Sequence, residues 1–88
     1  MPYIHDDARL RISQGSAPRT PGELNYAITE LLIEYLTYEK LSYSTLNTII
    51  GTLESVKSEF YRRVVKPYED KKMRENGDVY YGTGRLRL

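Results

Sequence analysis

Two long segments with helical apolar spacing, separated by a link of a few residues, constrain this chain more than anything else in it. In the first, Leu24, Ile28, Leu31, Tyr35 and Tyr38 recur at steps of four and three, and Leu32 and Leu36 widen the stripe. Its start is marked by Thr20-Pro21-Gly22-Glu23, which has the pattern of a capping box. Thr20 accepts an amide, Pro21 takes the first helical position, and Glu23 reaches back. The second segment follows Ser42 as cap and carries Leu46, Ile49, Ile50, Leu53, Val56, Phe60 and Val64 at helical steps. Pro67 lacks the amide that would bond to residue 63, so a kink or restart is expected there, and Asn76-Gly77 makes the stop. The spacing predicts an all-α fold in one domain spanning residues 1–88. Helix one runs over 20–38 and helix two over 42–76, kinked at Pro67, and the short link packs them as an antiparallel helical hairpin. Residues 1–19 lack a sustained period and read as an N-terminal arm. Residues 77–88 read as a C-terminal tail, with Val79, Tyr80 and Tyr81 suited to a short strand and Gly82 and Gly84 to a bend.

Size turns this pattern into an expectation about assembly. A compact globule of 88 residues buries roughly 64% of the unfolded chain's surface, which leaves stability marginal. Helix one presents Tyr26 and Ile33 beyond the stripe a hairpin partner needs, so a homo-oligomer is expected to cover the remainder. Leu31, Leu53 and Phe60 are the expected core, and Gly51 in helix two suggests a close helix approach. The nine Tyr, against one Phe and no Trp, suit surfaces that are apolar at one end and wet at the other, as interfaces and ligand sites are.

The same composition excludes several chemistries. There is no Cys, so there is no disulfide framework, thiolate metal site or cysteine nucleophile, and a single His cannot build a multi-histidine zinc site. No cofactor is expected. The formal charge is +1, which gives no whole-molecule attraction to nucleic acid or anionic membrane. No serine stands in a strand-turn-helix setting, Gly82-x-Gly84 falls short of a phosphate loop, and His5-Asp6-Asp7 lies in the arm as a solvated polar stretch. The chain does not read as an enzyme. With no apolar run longer than three residues it does not read as a membrane protein either, and the cytoplasm is its expected place.

Charge distribution says more than charge total. Residues 20–40 hold four Glu and one Lys, whereas residues 60–75 hold Arg62, Arg63, Lys66, Lys71, Lys72 and Arg74 against Glu69, Asp70 and Glu75. In an antiparallel hairpin the basic stretch lies beside the start of helix one, where free amides and the positive dipole end also favour an anion. Arg62, Arg63, Lys66 and Thr20 are therefore candidate ligand-binding residues, with Tyr61, Tyr68 and Tyr26 placed to stack on a planar ring. The competing reading is that these cations pair with Glu23, Glu69 and Asp70.

MPYI at the start, PGELNYAITELLIEYL, LSYSTLNTIIGTLESVKSEFYRRVVKPYEDKK and ENGDVY together resemble a family of short uncharacterised proteins found in tailed-phage and prophage genomes. FYRRVVKPYEDKK followed by ENGDVY is the most specific part, and the stretch from Asp6 to Thr20 and the tail Tyr81 to Leu88 look like variable additions. The resemblance implies a virus-encoded accessory protein acting in the host bacterial cytoplasm, and transfers no activity. Three functions are then in view. The first is a non-enzymatic oligomer that binds a small anionic nucleotide-like ligand and sequesters a host-defence signal. The second is a protein that binds a host or phage protein through its tyrosines. The third, nucleic-acid binding, is disfavoured by the near-neutral charge.

Overall fold

A computed structural model of the chain describes residues 1–80, and among these every regular element is a helix, with no strand. Helix α1 is Asp6–Ser13, α2 is Pro21–Glu39, α3 is Tyr43–Phe60 and α4 is Lys66–Asn76, with a π-helical segment Tyr61–Val65 between the last two. The chain divides into two units, Met1–Ile49 and the residues from Ile50 onward.

The first unit corrects the reading of residues 1–19 as an arm without structure, because α1 occupies Asp6–Ser13 and packs on α2. Local charge favours it. Asp6 and Asp7 occupy the first turn, where carboxylates meet the positive helix end, and Arg11 stands in the last turn. Gly15 then closes the helix with φ +98°, donating its amide to the Ile12 carbonyl at 3.0 Å. His5-Asp6-Asp7 is thus the entry to a helix.

Helix α2 starts where its sequence signature lies. The Thr20 hydroxyl accepts from the Glu23 amide at 3.1 Å, and Pro21 stands in the first turn. The reciprocal half of the box differs from the expectation. The Glu23 carboxylate passes over Thr20 and accepts from the Arg19 amide at 3.1 Å. The helix ends at Lys40, which holds φ 72° and ψ 157° while its amide still donates to the Leu36 carbonyl at 2.8 Å. Ser42 then caps α3, accepting from the Thr45 amide at 3.0 Å and donating to the Thr45 hydroxyl at 3.0 Å. Thr45 is the one buried residue among those described.

In the second unit the irregularity expected at Pro67 falls before it. The Lys66 amide donates to the Tyr61 carbonyl, five residues back, so the backbone widens over Tyr61–Val65 and α4 begins with Pro67 in its first turn. The reason is steric: a proline ring clashes with the carbonyl four residues earlier and has no amide to offer it. Widening the preceding turn lets the chain stay helical. Gly77 closes α4 at φ 89°, its amide donating to the Met73 carbonyl at 2.8 Å. Val79 and Tyr80 then lie in a turn, with Asp78 Oδ1 accepting from the Tyr80 amide at 2.8 Å, so the strand expected there is absent at these two positions. Tyr81, the bend at Gly82 and Gly84, and the rest of the tail to Leu88 lie outside the described residues.

No hydrophobic side chain is buried among the described residues. Leu31 is 65% exposed, Leu53 36% and Phe60 57%, so the expected core residues are surface residues of the single chain. The close approach expected at Gly51 is also missing, since a Cβ there would meet nothing within 4 Å.

Candidate functional site

The predicted site residues fall into two groups. Tyr61, Arg62, Arg63, Lys66 and Tyr68 lie on the π segment and the first turn of α4, in the second unit. Thr20 and Tyr26 lie at the start of α2, in the first unit, and keep their own partners there.

On the π segment the cations are turned outward and lightly held. The Arg62 and Arg63 side chains are 70% and 72% exposed, and both reach back to Glu59, Arg62 by hydrogen bond and Arg63 at 3.6 Å. Lys66 pairs with Asp70 at 3.0 Å and is 60% exposed. Such pairs between exposed side chains contribute only about 0–1 kcal/mol each, so each guanidinium can exchange its carboxylate for a stronger acceptor with little penalty. Phosphate is such an acceptor, because it takes two parallel N–H bonds from one guanidinium. Lys66 brings a point charge to the same turn.

The tyrosines are engaged differently. Tyr61 donates its hydroxyl to Glu69 at 2.9 Å, and that hydrogen bond to a carboxylate pushes the phenol above its ordinary value. The Tyr68 ring lies under the Lys72 ammonium at 5.6 Å from its centroid, a cation–π contact. Beside them an open cleft of about 590 Å³ is lined by Tyr61, Lys66, Glu69, Asp70, Met73 and Tyr80, among others. Its carboxylates offset its lysines, so an anion is better received on the outer Arg62–Arg63 side than inside the cleft.

Around α2 the structure shows a latch that the sequence reading missed. The Arg11 guanidinium of α1 donates to Glu23 and, at 3.2 Å, to the Ala17 carbonyl. Arg9 stands over the Tyr26 ring at 5.6 Å and donates to the Ile4 carbonyl at 3.1 Å. The Arg11 hydrogen bond holds the Glu23 carboxyl below its usual range, with the Arg19 amide adding to it and partial desolvation opposing it. Gly22 lets this segment approach: a Cβ there would stand 3.2 Å from the Met1 carbonyl oxygen and 3.3 Å from Ile4. The amide end of α2 and the Tyr26 face are therefore already occupied by the chain's own first residues.

Of the ion pairs anticipated, Lys66–Asp70 is present, Glu69 takes a tyrosine in place of a cation, and Glu23 takes Arg11. Glu59, which holds both arginines, was not anticipated. Its spacing of three and four residues from Arg62 and Arg63 was the available signal.

Among the described residues no group of His, Cys, Asp and Glu is placed to hold a metal ion, and no helix is long and apolar enough to cross a membrane. No curated protein and no solved structure matches the chain. A family model does match, across residues 1–79, and by that match the chain belongs to the family described as Domain of unknown function (DUF6899).

Proposed function

We propose that this chain is a phage-encoded, non-enzymatic binding protein that works as a homo-oligomer in the host bacterial cytoplasm. It takes up an anionic nucleotide-like ligand on its π segment and so sequesters a host-defence signal. The observation that carries the reading is the coincidence of the π-helical turn with the Tyr61-Arg62-Arg63 cluster. Single π turns inside α-helices are frequent at functional sites, and this one displays two guanidiniums held only by one exposed carboxylate. Bidentate contact from an arginine, charge from Lys66 and stacking on Tyr68 suffice to grip a nucleotide. The exposed apolar faces support the oligomer, and the antiparallel pairing of α2 with the helical run after Ser42 belongs to that assembled state.

The test is calorimetric titration with a panel of cyclic and linear nucleotides, on wild type and on Arg62→Ala and Arg63→Ala. Wild type binds at least one member, and losing one desolvated charged contact weakens that binding by about 2–5 kcal/mol in one of the two variants, with the helical signal unchanged. If wild type binds none, or both variants bind as wild type does, the ligand reading fails. The tyrosine-rich surface then serves a host or phage protein instead, a reading favoured by the exposure of Tyr38, Tyr43 and Tyr68.

A further inference from the structure

The apolar side chains of α3 and the π segment follow a heptad. Leu46, Leu53 and Phe60 stand seven apart, and Ile49 and Val56 each follow one of them by three. This is the a and d spacing of a coiled-coil seam, held over two heptads. Three residues after Phe60 the seam would meet Arg63, an exposed cation. The π segment inserts an extra residue at that point and brings Val64 round instead. Val56, Phe60 and Val64 accordingly line one open groove of about 490 Å³, edged by Glu59 and Arg63. None of the seam side chains is buried in the single chain, and Leu53, Val56, Phe60 and Val64 are each exposed. Gly51, where a Cβ would meet nothing, stands at position f of the same heptad, on the side away from the seam.

We infer that this face is the contact surface between copies of the chain, and that the assembly holds more than two of them. Two observations choose a copy over an unrelated partner. A chain without a buried apolar side chain among its described residues needs its partner whenever it is folded, and only a further copy is always present. A heptad seam is also matched in period by an identical seam, each side chain seating between four residues of its neighbour. The residue types set the number. Leu at a with β-branched residues at d, as in Leu46–Ile49 and Leu53–Val56, disfavours the two-stranded form and shifts the preference to three or four strands. Ile50, 65% exposed at position e, widens the seam as additional neighbours require. The π segment thereby acquires a role in assembly: it carries the seam past the arginines and leaves them at its edge.

This inference rests on the oligomeric part of the proposed function and is independent of its ligand. Sedimentation equilibrium of the full chain is expected to give a mass of three or more chains. Leu53→Asn and Val64→Asn are each expected to raise the concentration for half-assembly by tenfold or more, whereas Ser58→Asn, at position f, leaves it within twofold. Because a seam variant can lose its fold along with its partners, the wild-type helical melt supplies a second measurement. Its midpoint rises with protein concentration if assembly and folding are linked. A folded, concentration-independent monomer would overturn both this inference and the oligomeric reading. An oligomer whose assembly ignores Leu53→Asn and Val64→Asn, or a strict dimer, would overturn the seam and leave that reading standing.

Discussion

Lys40 is the place where the backbone conflicts with its residue. At φ 72° and ψ 157° it occupies a region that is nearly glycine's alone, and it is the only non-glycine with positive φ among the described residues. The helices α1 and α4 both end at glycines with φ above +85°, Gly15 and Gly77, so α2 alone makes this exit with a side chain. A residue held in such a region costs about 1–3 kcal/mol, and glycine gives back about 0.5–1 kcal/mol through its greater freedom in the unfolded chain. Lys40→Gly should therefore stabilise the fold by about 1 kcal/mol at the middle of those ranges, with the amide bond from residue 40 to the Leu36 carbonyl kept. In a chain of this size about 1 kcal/mol raises Tm by roughly 4–8 °C. The comparison is a thermal melt followed by circular dichroism at one fixed protein concentration, with Lys40→Ala as the second variant. Alanine removes the same charge and long side chain and keeps the Cβ that causes the strain. If Lys40→Gly melts at or below Lys40→Ala, the strain argument is wrong.

Three other outcomes follow from particular contacts. Gly51→Ala should stabilise by about 0.5–1 kcal/mol in the same melt, because the added methyl meets open space within a helix; a loss would mean that another helix approaches there. Gly22→Ala should force Met1 and Ile4 to give way by a few tenths of an ångström and so speed trypsin cleavage at Arg9 and Arg11, and an unchanged rate at those two arginines would show that the segment absorbs the methyl without loosening. Glu23 is held below its ordinary value of 4.5 in the folded chain, chiefly by Arg11, so its contribution is fully present above that pH and is lost as pH falls through the lower folded value. Denaturant midpoints measured from pH 7 down to pH 3 should fall less steeply for Glu23→Gln than for wild type on the acid side.

The candidate site was legible only in part. Adjacent arginines, a nearby lysine and flanking tyrosines stand out in the sequence, and the structure finds them exposed on one short stretch. Their partners were not legible, because several carboxylates compete for each cation at similar distances along a helix, and side-chain geometry decides among them. Glu59 took both arginines while Glu69 took the Tyr61 hydroxyl. The helix α1 was hidden for another reason. A helix of eight residues is too short to show a period and too short to hold itself, and it stands because Arg9 and Arg11 fasten it to Tyr26 and Glu23 of α2.

What the sequence determined by itself is local: the helical state of the long segments, the caps by Thr20 and Ser42, and the stop at Gly77. Each follows from residues within a turn or two of one another, through spacing, capping hydroxyls and glycine's access to positive φ. The tertiary structure decided what depends on contacts between elements and on how a helix absorbs a misfit. It fastened α1 to α2 across Gly22, and it placed the consequence of Pro67 in the turn before it, because the clash of the ring is with the carbonyl four residues back. It also left no apolar side chain of the stripes fully buried among the described residues. A stripe encodes that a face must be covered, and only the packing of elements shows whether the same chain covers it.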